Sequence, residues 1–202
     1  PRAVRTLREV DLIAAEDTRP SRKLLSHFDI HTPLTSFHEH NKARKLPSLM
    51  QELRGNDVAL ISDAGEPALS DPGYELVRAA IDAGVEIVPI PGPSAPLTAL
   101  VVSGLPTDRF LFLGFLPRKT AARRRVLARV RDEPGTLIIF ESPHRLLETL
   151  RDALHVLGDR RICLARELTK LHEEIWRGTV GEALTAYGGR EPIGEFTLVL
   201  AG

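Results

Sequence analysis

Short apolar runs alternate along this chain with segments that have helical spacing and helix-capping residues. The alternation is typical of α/β layers, in which strands form a sheet and the intervening helices cover it. Apolar runs predict strands at residues 12–15, 34–37, 58–61, 85–90, 110–115, 136–140, 161–166, 174–177 and 196–200. We place a domain boundary near Leu116 and Pro117, which predicts two α/β domains, 1–116 and 117–202, with a cleft between them.

The loop after the predicted strand 58–61 holds three carboxylates and no lysine or arginine. These are Asp63, Glu66 and Asp71, and Asp71 is also predicted to cap a helix that Gly84 ends. Loops at the carboxyl edge of an open α/β sheet bind ligands. A phosphate site would combine backbone N–H groups with a cation. The loop therefore predicts a ligand that is neutral or positively charged.

A second loop, residues 91–96, follows the predicted strand 85–90. Gly92 allows close backbone approach, and Ser94 is predicted to cap a helix that runs to about Ser103. An ordinary strand–helix connection is the alternative, but two such loops together favour a ligand cleft. The chain has no dinucleotide-binding glycine fingerprint and no Walker-type loop. S-adenosylmethionine is the commonest cationic cofactor that needs neither.

The composition is that of a folded globular protein whose net charge favours no particular partner. Lys+Arg and Asp+Glu both number 27, so a nucleic-acid surface would have to be local. The single cysteine, Cys163, lies in an apolar run and is predicted to be a buried thiol. No apolar run approaches the roughly 18 residues of a membrane span, and no signal-peptide pattern opens the sequence. A cytoplasmic protein is expected.

Charged and polar residues also follow the first two predicted strands. The segment 16–19 (Glu-Asp-Thr-Arg) either caps the next helix or faces the same cleft as Asp63. The segment 38–41 (His-Glu-His-Asn) does not predict a metal site, because the paired-histidine helix motif would need a second histidine at Lys42. The segment 166–174 mixes both charge signs and fits either an ion-pair network or part of an active site.

A basic segment begins shortly after residue 116. Its apolar residues predict an amphipathic helix with a positive outer face. Such a face is either simply solvated or a contact for a phosphate backbone, and the local excess of cations favours contact with RNA. The cations of this segment are Arg118, Lys119, Arg123, Arg124, Arg125, Arg129 and Arg131.

Eight short motifs give the chain a specific resemblance over its whole length. They are residues 16–19 (EDTR), 38–41 (HEHN), 62–65 (SDAG), 70–73 (SDPG), 91–95 (PGPSA), 114–119 (GFLPRK), 141–145 (ESPHR) and 165–170 (ARELTK). In this order they resemble the RsmI family of bacterial 16S rRNA cytidine 2′-O-ribose methyltransferases, in the tetrapyrrole-methylase superfamily. The resemblance implies two α/β domains, S-adenosylmethionine in the cleft between them, a homodimer, and methylation of a decoding-centre cytidine.

The resemblance also implies which loops would hold the cofactor. By position, the cofactor-binding residues would be Asp63, Ala64, Gly65, Glu66, Gly92, Pro93, Ser94, Ala95, Glu195 and Phe196. The family pattern opens with a strand and a Thr-Pro-Ile-Gly-Asn-Leu loop ahead of the region that matches residue 1, and it continues beyond the last residue here. Where the family commonly has Thr-Pro-Gly, this chain has Glu66, Pro67 and Ala68. The exchange adds a charge and a methyl group at the cofactor loop.

Methyl transfer to a ribose hydroxyl needs a group that accepts one proton, and it needs no metal. Lys170, Glu16 and His38 are the candidates for this base, and a lysine would need a lowered pKa. The candidate RNA-binding residues are Arg19, Arg118, Lys119, Arg123, Arg124, Arg125 and Arg166.

Two alternatives to the function of an rRNA methyltransferase stay open. One is a tetrapyrrole (precorrin-type) methyltransferase, and the other is a non-catalytic RNA-binding relative.

Overall fold

The computed structural model describes residues 1–189 and 191–202, which form two compact units. The first unit is Pro1–Pro93 and the second is Ser94–Gly202. Each combines a β-sheet with helices, which confirms the predicted α/β class. In this part of the chain, none of the helices has the length and apolarity needed to span a bilayer.

The first unit is built on a three-stranded parallel sheet of order β2-β1-β3. Its strands are β1 (Leu12–Ala15), β2 (Leu34–Ser36) and β3 (Val58–Ile61), and its helices are α1 (Arg2–Glu9), α2 (Thr18–His27), α3 (Lys42–Glu52) and α4 (Tyr74–Asp82). Successive residues of β1 point to opposite faces of the sheet. Ile13 packs with Leu25 of α2, whereas Ala14 packs with Leu49 of α3 and Leu76 of α4. Helices therefore cover both faces.

The second unit contains a five-stranded mixed sheet of order β4-β5-β8-β6-β7. Its strands are β4 (Phe110–Phe115), β5 (Thr136–Glu141), β6 (Arg161–Arg166), β7 (Glu174–Thr179) and β8 (Phe196–Leu200), and its helices are α5 (Ala95–Ser103), α6 (Thr120–Arg129), α7 (Leu146–Leu157) and α8 (Val180–Gly188). Strands β4 and β5 pair in parallel, whereas the pairs β5–β8, β8–β6 and β6–β7 are antiparallel. One face packs against α6, α7 and α8, and the other packs against α5 around the buried Cys163, as predicted for that thiol.

The division between the units falls before α5, whereas the sequence placed the boundary between residues 116 and 117. Strand β4 pairs with β5, and Ala99 and Leu100 of α5 pack against Ile138 and Val199 of the second sheet. The apolar pattern of a single element does not say which sheet it joins. Long-range packing assigns α5 and β4 to the second unit.

The segment 85–90 forms no strand, which corrects the prediction made for it. Its residues have the apolar, β-branched character of a strand, yet Ile87 and Val88 are 43% and 55% exposed. A strand also needs a neighbour for its backbone hydrogen bonds. Within the described residues, β3 pairs only with β1, and the segment 85–90 joins no ladder.

Most other predicted elements are confirmed to within a few residues, whereas Asp71 and Ser94 do not make the predicted helix caps. A capping box opens α8, because Thr179 Oγ1 accepts from the Glu182 amide at 3.3 Å and Glu182 Oε2 accepts from the Thr179 amide at 2.8 Å. Asp71 does not cap α4, which begins after Gly73 without a side-chain cap bond. Ser94 precedes α5 but likewise makes no cap bond. The helix α1 was not predicted.

Candidate active site

Polar side chains gather at the carboxyl edge of the first sheet. Because β2, β1 and β3 are parallel, the residues that follow them emerge at one edge. The Asp63 amide, after β3, donates to Glu16 Oε2, after β1, at 3.3 Å. The Asp17 amide donates to Asp63 Oδ1 at 3.2 Å. Glu16 and Asp63, two of the residues predicted from sequence, are thus held together.

Asp17 and Arg19 form a tight pair beside this edge. Arg19 donates through Nε to both carboxylate oxygens of Asp17 at 3.1 Å and through Nη2 to Oδ2 at 2.5 Å. The Arg19 amide also donates to Asp17 Oδ1 at 2.8 Å, so Asp17 caps α2. These bonds to Arg19 lower the pKa of Asp17 to about 2 and raise the pKa of Arg19. The capping alternative is therefore confirmed for Asp17, and Arg19 reaches solvent already paired.

His38 is positioned by Asn41, which is buried. The His38 amide donates to Asn41 Oδ1 at 2.9 Å, and Asn41 Nδ2 donates to Ser36 Oγ at 3.0 Å. Nδ1 of the His38 ring is buried and has no hydrogen-bond partner in the part of the chain that the structure describes. The ring centroid lies 6.1 Å from that of His40. An imidazole fixed through its backbone, with an uncommitted ring, is suited to proton transfer.

Glu16 and His38 line one open cavity of about 430 Å³ in the first unit. Its other lining residues are Glu39, His40, Ser70, Asp71 and Pro72. None of these five was predicted as a site residue, although all lie in motifs that the sequence analysis singled out. Across residues 1–189 and 191–202, no group of three or more His, Cys, Asp or Glu side chains could hold a metal ion.

Glu66 links the two loops that the resemblance assigns to the cofactor. Its Oε1 accepts a 2.8 Å hydrogen bond from the amide of Gly92. The charge that departs from the family pattern thus has a structural role within the first unit. Ala68 nearby adopts φ of +70°, a left-handed conformation that glycine takes more easily. Asp63, Ala64 and Gly65, at the tip of the first loop, are exposed.

In the second unit, Lys170 bridges two carboxylates. Its Nζ lies 3.0 Å from Glu167 Oε1 and 2.9 Å from Glu195 Oε2. The hydrogen bond to Glu195, followed by that to Glu167, raises the pKa of Lys170. The sequence analysis required a lowered pKa for a lysine base, and the structure shows the opposite. These two ion pairs favour the charged form of Lys170, which weighs against the role of a proton acceptor.

Arg166 and Phe196 line a smaller cavity, of about 220 Å³, in the second unit. Arg166 donates through Nε to the Ile193 carbonyl at 2.6 Å and through Nη1 to Glu174 Oε2 at 3.0 Å. Phe196 is 2% exposed, and its ring packs edge-on against Tyr187 at a centroid distance of 5.9 Å. The Phe196 side chain therefore belongs mainly to the core, which limits its predicted contact with a cofactor.

The basic helix α6 corrects one prediction. Arg123 is 1% exposed and donates to Asp152 Oδ2 at 2.6 Å, so it is not available to a phosphate backbone. Arg124 donates to the other oxygen of Asp152 at 2.6 Å, while remaining partly exposed. By contrast, the exposed Arg118, Lys119 and Arg125 form no ion pair within the described residues. Helical spacing could not reveal that a buried aspartate on α7 faces Arg123.

Comparison with known proteins identifies the family. The model of the Tetrapyrrole (Corrin/Porphyrin) Methylases matches residues 1–184. The protein of Halalkalibacterium halodurans named ribosomal RNA small subunit methyltransferase I is 53% identical over all of this chain and 70% of its own length. Proteins of the same name from Synechocystis sp. and Thermotoga maritima are 52% and 49% identical over all of this chain, and over 73% and 90% of their own lengths.

Solved structures agree on the fold. The methyltransferase CobJ superposes with a TM-score of 0.73 at 16% identity, covering 100% of this chain and 87% of that one. Diphthine synthase superposes with a TM-score of 0.73 at 15% identity, covering 99% of this chain and 83% of that one. At such low identities the likeness shows the fold alone, whereas the sequence relatives also show the family. The chain belongs to the tetrapyrrole (corrin/porphyrin) methylases and, within them, to the family of ribosomal RNA small subunit methyltransferase I.

Proposed function

We propose that this protein transfers a methyl group from S-adenosylmethionine to the ribose 2′-oxygen of a decoding-centre cytidine in 16S rRNA. The observation that carries the proposal is its high identity, over the whole chain, to relatives named for methylation of small-subunit ribosomal RNA. The exposed cations Arg118, Lys119 and Arg125 favour RNA over a tetrapyrrole acceptor, which has no phosphate backbone to contact.

The cofactor supplies an electrophilic methyl group on a sulfonium when it is bound, and we propose that the loops assigned by the resemblance hold it. In the first unit, Asp63 offers an exposed carboxylate in a loop without lysine or arginine, which suits a cationic ligand. The bond from Gly92 to Glu66 holds the two neighbouring loops in register. The residues proposed for the cofactor are those that the resemblance assigns, namely Asp63, Ala64, Gly65, Glu66, Gly92, Pro93, Ser94, Ala95, Glu195 and Phe196.

The hydroxyl that accepts the methyl group must lose its proton to a base. We assign this role to His38 or Glu16, which line the same cavity. Lys170 is held as a cation by Glu167 and Glu195 and is better placed to attract an anion than a proton. Arg19 and Arg166 keep their proposed role in gripping phosphate or orienting the ribose, although both already contact carboxylates.

Transfer of tritiated methyl from S-adenosylmethionine to small ribosomal subunits that lack the modification tests the proposal. Label at a cytidine 2′-oxygen of 16S rRNA is the expected result. Replacing the base, by His38→Ala or Glu16→Gln, should lower kcat by about 10²–10⁴-fold. The exposed histidine of α2 provides a control, because His27→Ala should leave kcat unchanged. Lys170→Arg should retain most activity, since it preserves the cation.

Two other outcomes would redirect the assignment. Cofactor binding, measured by calorimetry, without transfer to any ribosomal RNA would point to a tetrapyrrole acceptor. Absence of cofactor binding would leave a non-catalytic RNA-binding protein. The homodimer and the cytoplasmic location that the sequence analysis expects stay predictions. Sedimentation equilibrium would test the first, and fractionation of cells would test the second.

A further inference from the structure

Strand β4 ends in a bulge that redirects its last side chain. Phe112 pairs with Ile138 of β5, whereas Phe115 pairs with Phe140, so β4 contains one residue more than β5 over this stretch. Gly114, within the bulge, has φ of +60° and is buried. A β-bulge bends its strand and re-aims a side chain, and such bulges concentrate near functional sites. Here the bulge places Phe115 on the same face of the sheet as Phe112 and Phe140.

The Phe115 ring is exposed but supported. It is 56% exposed, and its centroid lies 5.5 Å from that of Phe140 at an interplanar angle of 55°. Phe140 in turn packs edge-on against Phe112 at 5.0 Å. Exposure of a large aromatic ring costs free energy in water, so a supported and exposed ring suggests a partner with an apolar face.

The backbone that follows Phe115 is held by two buried carboxylates acting through arginines. Arg145 Nη2 donates to the Leu116 carbonyl at 2.7 Å and lies 3.2 Å from Glu141 Oε2. Glu141 is 1% exposed and also accepts from Thr149 Oγ1 at 2.6 Å.

The bond from Arg145 to the Leu116 carbonyl is the first anchor of this backbone, and a second anchor holds the carbonyl of Arg118. Arg123 Nη1 donates to the Arg118 carbonyl at 3.2 Å, while its Nε is fixed by Asp152. Both arginines donate hydrogen bonds to backbone carbonyls, so the side chains of Phe115, Arg118 and Lys119 stay exposed. A segment fixed in this way presents its side chains with little loss of conformational entropy on binding.

We propose that Phe115 is a stacking platform for an unpaired RNA base, with Arg118 and Lys119 contacting the flanking phosphates. The inference rests on the proposed function and adds the form of RNA that this surface takes, namely single-stranded rather than duplex. Aromatic rings stack on splayed-out bases, and cations beside them follow the backbone. An A-form duplex keeps its bases stacked and offers no free base face to Phe115.

Fluorescence anisotropy with the full chain tests this surface. The probes are a fluorescein-labelled RNA stem-loop with an unpaired loop and a labelled duplex of equal length. Phe115→Ala should weaken stem-loop binding about tenfold and leave duplex binding unchanged. Phe115→Trp should retain stem-loop affinity, and Phe115→Leu should lose it as alanine does. Phe110→Ala removes the 42%-exposed phenylalanine at the other end of β4 and should change neither affinity.

Several results would overturn the inference. Unchanged stem-loop affinity in Phe115→Ala would do so, and so would full affinity in Phe115→Leu, which would indicate apolar contact without stacking. A Phe115→Ala variant that passes from dimer to monomer in sedimentation equilibrium would assign the ring to contact with a second copy of the chain. If the parent protein methylates ribosomal RNA while Phe115→Ala binds normally, only this inference fails. If the parent transfers no methyl group to small ribosomal subunits, the proposed function fails, and this inference fails with it.

Discussion

At the scale of single residues, Asp17 should stay ionised well below the pH at which an ordinary aspartate takes up a proton. Its bonds to Arg19 lower its pKa from 3.8 to about 2. A lowered pKa in the folded state adds stability above pH 3.8, and that contribution disappears as the pH falls towards 2. Arg19→Gln should therefore move the pKa of Asp17 up towards 3.8, as measured by NMR titration of its carboxyl carbon. Arg22→Gln, which changes an exposed arginine of the same helix, should leave it unchanged.

Ala68 stands in a backbone conformation that favours glycine, so Ala68→Gly should stabilise the first unit. A left-handed conformation costs a residue with a Cβ about 1–2 kcal/mol. Glycine loses about 0.4–1 kcal/mol of this advantage through its more flexible unfolded chain. The expected net gain in unfolding free energy is about 0.5–1 kcal/mol, measured by urea denaturation. The control is Ala79→Gly within α4, which should instead cost about 1 kcal/mol. Equal losses in both variants would contradict the explanation from φ.

At the scale of elements, the Arg123–Asp152 pair joins α6 to α7 through buried charges. Asp152→Ala would leave Arg123 buried and short of its main partner, which should cost about 3–5 kcal/mol of unfolding free energy. Arg123→Met combined with Asp152→Leu removes both charges and should recover most of that loss. Arg109→Ala, which breaks an exposed pair with Glu133, should cost less than about 1 kcal/mol. Denaturation of the four proteins would compare these values.

The helices and strands also show which features of the fold could be predicted from sequence patterns. The bounds of β1, β3, β4, β6 and β8 agree with their apolar runs to the residue, because each run is buried against helices on at least one face. The segment 85–90 has a similar run and forms no strand, because propensity does not supply a hydrogen-bonding neighbour. The prediction that Arg123 contacts RNA is wrong for a related reason. Arg123 is buried because it pairs with Asp152, which lies on α7, and the spacing of residues within α6 cannot predict a partner on another helix.

At the scale of the whole molecule, the sequence could predict which residues follow the strands of the first sheet, but it could not predict which side chains form hydrogen bonds or ion pairs. Parallel strands end at one edge of a sheet, so the alternative in which the segment 16–19 faces the same cleft as Asp63 could be raised from the sequence. Whether Lys170 is free or paired depends on Glu195, which lies far along the chain and comes close only after β8 joins β6. The sequence therefore predicted which residues follow the strands, but it could not show that Glu195 and Glu167 raise the pKa of Lys170.

The molecule carries no net charge, so its affinity for RNA must depend on where its cations lie. Arg118, Lys119 and Arg125 are exposed near or on α6, and replacing all three by glutamine should weaken binding of a single-stranded RNA. Each lost phosphate contact should also reduce the slope of log K against log salt concentration by about 0.7.

The matched control replaces three exposed cations of the first unit, Arg22, Lys23 and Arg54, by glutamine. Both triple variants have the same net charge, so the mean charge of the molecule cannot separate them. Filter binding at several salt concentrations should show a reduced slope for the first variant and the parent slope for the second. Equal reductions in both would mean that RNA responds to total charge, and the surface around α6 would lose its special role.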